Sequence, residues 1–390
     1  MLMILIASGT QYFFRFNGAI TMLFFLIFSI FYYFSNKGKV DTQSKWFSII
    51  YVSYILVNWF IINTNHIESV NRMLPYIIFA IGGCLILSRM EKKVMIDSLY
   101  SIMKYLALIS IVVFALNEFN IVTPYHVYYN KSDHLMSYIH TIGWGVPFHR
   151  LAGLWWEPGA YQIVLNMAIF FKLTTYDSMY EIWEKKNRWG FFILLAASIL
   201  TMSTTGYITL GVLSIYLFIK FNKMSIVKTF LVSILLAPVY VGIFYLLYSS
   251  KPIQDKLEQS KSDSRSSYTI RYADNMALMQ MISEKPLFGY GLGTREFNAR
   301  SLQLDNETSS NGDLFFAALF GIPFYLFVLL QCAIRAKDFN LPRWLFVLFF
   351  ILFNIAECFL YYPLVFLFLI KLKTSKSIPL SPNEISNIRS

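Results

Sequence analysis

Apolar residues in this chain gather in long blocks, such as MLFFLIFSIFYYF at 22–34 and LFVLFFILF at 345–353, and polar residues fill the gaps between them. Crossing a bilayer as a helix takes roughly 20 such residues. The pattern predicts spans at 17–35, 46–62, 73–89, 100–118, 157–172, 189–203, 205–221, 228–248, 313–334, 343–360 and 362–372, with residues 1–14 as a further partial helix. The gaps then sort by charge. Lys37, Lys39 and Lys45 lie in one, Arg89, Lys92 and Lys93 in the next but one, then Lys172, Lys185, Lys186 and Arg188. Lys220, Lys223 and Lys228 follow, then Arg335, Lys337 and Arg343, and the tail closes with Lys371, Lys373 and Lys376. Every one is an alternate loop, which the positive-inside rule assigns to the cytoplasm. The opposite face carries two long segments, 119–156 and 249–312, and all five histidines.

The expected fold is therefore an all-α polytopic membrane protein, one integral membrane domain over 1–390. It has about eleven transmembrane helices, or twelve if residues 1–14 cross, and two long external loops. Composition agrees: 56% of the 390 residues are hydrophobic and only 14% charged, where soluble domains carry about 25%. The net charge of +11 would suggest nucleic acid in a soluble protein, but loop topology explains it and no nucleic-acid partner is expected. Cys84, Cys332 and Cys358 all fall inside apolar runs, without metal-ligand or disulfide spacing. The opening MLMILIASGT lacks a basic start, which argues against a cleaved signal peptide. A transporter keeps its ionisable machinery within the spans. Here the spans hold few such residues, so chemistry is expected on the external face.

One threshold stands out there: HRLAGLWWEPGAY, 149–161. Proline suits the first position of a helix, so Pro158 opens the fifth span with Glu157 at its cap. The helix N-terminus then presents free N–H groups and partial positive charge outwards. Arg150 precedes it, near Gly153, which lets the backbone turn closely. A guanidinium beside a helix N-terminus makes a good phosphate site. The plainer readings are an aromatic belt for Trp155 and Trp156 and a snorkelling anchor for Arg150. Against the plain reading, a carboxylate such as Glu157 at membrane depth is costly.

In the second external loop, 250–267 is polar and reads as solvated. Tyr268, Tyr272, Met276 and Met279 then form one apolar stripe at helical spacing, which predicts an amphipathic helix on the membrane surface or over a cavity. Arg271 is displaced from that stripe. EKPLFGYGLGT, 284–294, ends the helix with Gly289, Gly291 and Gly293. Its spacing is not that of a dinucleotide site; such glycines allow close backbone approach, to a ligand or to another helix.

Three stretches resemble one family. RLAGLWWEPGAY is similar to the Arg-x-x-Gly…Glu-Pro signature of bacterial O-antigen polymerases. LTMSTTGYITLGVLSIYLF, 200–218, resembles that superfamily's Ser-x-x-Gly helix pair. RYADNMALMQMISEKPLFGYGLGT resembles the Arg…Pro-Leu-x-Gly-x-Gly-x-Gly stretch shared with lipid A–core O-antigen ligases. The resemblance implies a glycosyltransferase of the bacterial inner membrane with a periplasmic active face. Its donor would be a glycan on undecaprenyl diphosphate and its acceptor a repeat unit on the same lipid. It implies no metal, nucleotide sugar or other cofactor; membrane lipid and a chain-length regulator of the same pathway are the implied partners. Arg150 and Arg271 match the family's arginines and would clamp the diphosphate, with Gly153, Trp155, Trp156, Gly289, Gly291 and Gly293 lining the substrate site. Glu157 and His149 are the candidates to take the acceptor's proton.

One departure favours polymerase over ligase. The ligases carry a histidine where the second loop re-enters the membrane, whereas ETSSNGDLFF, 307–316, has Ser310 and Asn311 there. Asp313 is an alternative base, with helix capping its simpler role. The competing class is a transporter of lipid-linked oligosaccharide without enzymatic activity.

Overall fold

The structure, a computed structural model, describes residues 1–11, 18–36, 40–62, 66–129, 132–138, 140–143, 149–222, 267–292, 295–304, 311–355 and 357–373. The expected span 228–248 lies outside them.

The first apolar blocks form α1 (Leu2–Ala7), α2 (Gly18–Ser35), α3 (Thr42–Ile62), α4 (His66–Leu87) and α5 (Lys92–Glu118). Among the described residues, four helices are long and apolar enough to cross a membrane: α2, α3, α4 over Val70–Leu87, and α5. They display Phe24, Phe31, Phe34, Phe60 and Ile61 outwards, as helices solvated by lipid tails do. By contrast α1 rises only about 9 Å, and Ile4 and Leu5 are buried. The Ser8 carbonyl just beyond α1 accepts a bond from Trp155 Nε1 at 3.0 Å. The Ser8 hydroxyl accepts one from the Leu364 amide at 3.1 Å. This N-terminal segment therefore stitches two distant parts of the chain together.

The chain is mostly helical as expected, but the segment expected to be the first long external loop adds a sheet that the hydrophobic pattern did not reveal. Strands β1 (Tyr125–Tyr129), β2 (Ser132–Ser137), β3 (His140–Gly143) and β4 (Arg150–Gly153) form an antiparallel meander in the order 1-2-3-4. Tyr129 pairs with Ser132 and Ser137 with His140, so the first two connections are short. The last strand is buried from Leu151 to Gly153 and leads straight into the helical core.

That core surrounds α6 (Pro158–Thr174), whose residues are nearly all buried. Short α7 (Met179–Trp183), α8 (Lys185–Leu200) and α9 (Thr204–Asn222) follow. In lipid, helices associate through packing and hydrogen bonds rather than the hydrophobic effect, and here aromatic rings do the packing. Phe170 lies 4.4 Å from Phe349, 5.9 Å from Phe353 and 5.9 Å from Phe368, centroid to centroid.

Three expected spans are interrupted. The run 313–334 breaks into α12 (Gly312–Phe320) and α13 (Ile322–Arg335), after α10 (Ser267–Glu284) and α11 (Arg295–Gln303). Gly321 has φ +85°, a left-handed conformation that ends a helix, and Pro323 opens the next one. The run 343–360 is helical only as α14 (Arg343–Asn354). The block 362–372 forms a buried six-residue 3-10 helix, Pro363–Phe368, instead of a span.

Loops that the charge pattern placed on one side do meet at one end of the bundle. Arg335, only 1% exposed, pairs with Asp338 at 3.2 Å and Asp41 at 3.8 Å and bonds Gln43. Lys371 reaches Asp41 at 3.4 Å, and Lys92 Nζ donates to the Asp338 carbonyl at 2.6 Å.

Candidate functional site

At the start of α6, Pro158 occupies the first turn and Glu157 the cap position, with extended backbone at φ −151° and ψ 160°. The Glu157 side chain makes no capping bond. Its Oε1 is buried with no hydrogen-bond partner among the described residues. The carboxyl instead lies beside that of Glu357. Glu357 arrives from the non-helical segment after α14, which Phe359 and Tyr362 hold against Trp156, ring centroids 6.1 and 6.0 Å away.

Arg150 stands on β4, beside this pair. Its Nε donates to the Thr201 carbonyl at 3.1 Å and its Nη2 to the Met202 carbonyl at 3.2 Å. It thus closes the C-terminal end of α8, where carbonyls lack helical partners, and steadies Met202 at φ +48°. Burial lowers the Arg150 pKa from its ordinary value; the nearby Glu157 charge opposes that shift and Arg271 adds to it. Tyr207 of α9 also lies within reach of the Arg150 charge. Nη1 of Arg150 bonds no described residue, so part of the guanidinium fork is unspent.

Arg271, on α10, is half-buried. Its charge acts on both Arg150 and Glu357, and none of its N–H groups bonds another described residue. Two guanidiniums, two carboxyls and a helix N-terminus therefore converge from β4, α6, α10 and the segment after α14. Such a set can bind a multiply charged anion and move a proton beside it. Among the described residues, no three His, Cys, Asp or Glu side chains are grouped as metal ligands.

Several expected site residues have other work. Trp155 is 0% exposed, stacked on Tyr161 at 5.2 Å, with its N–H committed to Ser8, so it is neither a belt residue nor a substrate platform. Trp156 is part-buried against Phe359 and Tyr362. Gly153 has φ +59°, and a Cβ there would lie 2.8 Å from the Tyr161 ring, so its close approach serves packing. Gly289 and Gly291 approach a helix rather than a ligand. Gly291 N–H donates to the Leu319 carbonyl and Tyr290 N–H to that of Ala318, both at 2.9 Å, satisfying the end of α12. Gly289, at φ +67°, would place a Cβ 2.6 Å from the Ala318 carbonyl oxygen. Gly293 lies outside the described residues.

His149 Nδ1 is paired with Glu118 at 2.8 Å, not with Glu157. Asn311, not Asp313, caps α12, accepting from Leu314 N–H at 3.2 Å, while Asp313 accepts from Tyr325 Oη at 2.8 Å. On α10 the described stripe residues Tyr272, Met276 and Met279 are exposed; the buried face is Asp274, Ala277, Leu278 and Met281. Sequence reasoning missed Glu357 and Tyr207. Glu357 had a signal, as a carboxylate inside the apolar run NIAECFLYYP, 354–363.

Residues 189–323 match the model of the O-antigen ligase family. No curated protein matches the chain. The match supports the resemblance to the O-antigen polymerase/ligase superfamily, a group of membrane glycosyltransferase-like enzymes. It takes in the Ser-x-x-Gly helix pair, Arg271 and the glycine loop; Arg150, Glu157 and Glu357 lie outside it.

Proposed function

We propose that this protein is a repeat-unit polymerase, which transfers a growing glycan from undecaprenyl diphosphate onto a new lipid-linked repeat at the periplasmic face of the inner membrane. The observation that carries this reading is the meeting of Arg150, Arg271 and Glu157, from separate stretches of the chain, at the N-terminus of α6. In the proposed reaction the acceptor oxygen bonds the anomeric carbon of the donor as the bond from that carbon to the diphosphate oxygen breaks. The bonding electron pair leaves on the diphosphate, and the acceptor's proton passes to Glu157. Diphosphate is already a good leaving group, so the main demand is for cations around its growing charge. Arg271 and the unspent part of Arg150 supply them, and neither a metal nor a nucleotide sugar has a part in the step.

Polymerase is preferred to ligase because the re-entry at Asn311 and Gly312 has no histidine. Deleting the gene separates the two. Loss of long chains with single repeats still attached to core supports a polymerase; loss of every repeat from core makes the protein a ligase. Normal long chains would exclude both. The polymer is O-antigen or capsule according to which one the deletion removes.

A further inference from the structure

Glu157 and Glu357 lie far apart in the chain, one at the head of a helix and one in a bend inside an apolar run. Two aromatic contacts from Trp156 lock the bend against the helix head. The bend is held from behind as well: a Cβ on Gly312 would lie 2.6 Å from the Glu357 carbonyl oxygen and 2.7 Å from Cys358 Cα. Phe359 N–H donates to that same Glu357 carbonyl at 2.9 Å. Glu357 is thus fixed in place by its backbone and offers its carboxyl to Glu157. Two carboxylates sharing a site cannot both ionise readily, and a carboxyl that keeps its proton can donate it in a hydrogen bond to its neighbour.

We infer that Glu357 is a positioning residue, which holds a proton against Glu157 and so aims the Glu157 carboxylate at the acceptor hydroxyl. This rests on the polymerase reading and adds to it the residue that prepares the base. The surroundings divide the roles between the two carboxyls. Arg150 from β4 faces Glu157, and Arg271 from α10 faces Glu357. Cys358, Tyr361 and Tyr362, on the segment that carries Glu357, are the other titratable groups within reach of its charge. Glu157 stands at the helix N-terminus, where an anionic substrate would sit, whereas Glu357 stands on the C-terminal segment packed against that helix head. At the transfer step the proton of the acceptor goes to Glu157 while Glu357 keeps its own. The doubly protonated pair then releases one proton to water.

The test uses the full-length protein in lipid nanodiscs, with lipid-linked repeat units extracted from the host's own deletion strain, across a range of pH. Glutamine at 357 keeps a donor for Glu157, so Glu357→Gln should retain polymerisation within about tenfold, which is roughly 1.4 kcal/mol. Glu157→Gln should make none at any pH. A proton held on Glu357 favours the singly charged pair. The acid limb of the rate profile should therefore move to higher pH in Glu357→Gln and further in Glu357→Ala. A purely structural role would lower the rate evenly across the range. An unmoved acid limb in both variants, or wild-type rates from Glu157→Gln, would overturn the inference.

Infrared difference spectra supply a readout independent of activity. Wild type minus Glu357→Gln should show the C=O stretch of a protonated carboxyl at neutral pH. Its absence overturns the carboxyl pair whatever the reaction is. If the band is present and wild type consumes no lipid-linked repeat, the polymerase reading is what fails.

Discussion

The turn at 150–161 and the glycine loop at 286–294 look alike in sequence: both mix glycine, proline and aromatic residues beside an apolar helix. The structure uses them in opposite ways. The first turn sends its charged side chains to a common point and buries Trp155 to hold that point still. The second spends the amides of Tyr290 and Gly291 on the carbonyl end of α12 and packs Gly289 against Ala318 and Leu319. Motif residues thus divide into those that gather charged side chains at one point and those that let a loop dock on a helix end.

Substitutions can break that division, and the largest effect is expected at the turn. Glu157→Asn, which retains capping ability, and Arg150→Ala with Arg271→Ala, should leave membrane abundance near normal and abolish polymer. Lysine at either arginine keeps the charge but loses the bidentate fork, so a reduced yield is expected. Full-length polymer from the double alanine variant would remove the arginines from the mechanism.

At the loop the order reverses. Gly289→Ala forces a side chain into φ +67°, a cost of about 1–2 kcal/mol before the overlap with Ala318 is counted. Thermal unfolding in detergent should shift downwards and abundance should fall, while activity per folded molecule persists. Loss of activity without loss of stability would mean that the glycine faces substrate.

A smaller change tests the cap that replaced Asp313. Asn311→Ala removes the acceptor for Leu314 N–H and should cost about 1 kcal/mol. Asp313→Asn leaves that cap intact and should not reproduce the loss. Equal shifts from both would return the capping role to Asp313.

The smallest effect concerns the clasp after α10. Arg300 and Tyr290 bond Glu284 and hold it at about 2, below its ordinary value of 4.5. A depressed carboxylate stabilises the fold above its unfolded pKa, and the contribution fades as pH falls through the folded value. Hydrogen exchange over Arg295–Gln303 should therefore stay slow at pH 4.5 and quicken near 2. In Arg300→Ala exchange should already be faster at neutral pH and should lose this acid-dependent step. A wild-type profile in Arg300→Ala would show that the clasp does not order α11.

The division also explains what could be read in advance. Four N-terminal spans were legible because a long apolar block declares itself without reference to any partner. Arg150, Glu157 and Pro158 were legible because charge and proline interrupt such a block. Glu357 interrupts one too, but the run 343–360 is long enough to have been read as a single span, and the bend after Asn354 depends on packing against Trp156. The strands at 125–153 lack a long periodic run, and pairing with neighbours defines them. The glycines were visible as a pattern, but their partner, the end of α12, was not.

Ser8 adds an order of events to this architecture. Its carbonyl is bonded by Trp155 and its hydroxyl by the amide of Leu364. On a ribosome, therefore, Ser8 waits for Leu364, made 356 residues later, before both bonds can close. Glu357 emerges shortly before Leu364, so the carboxyl pair assembles at about the same stage as this closure.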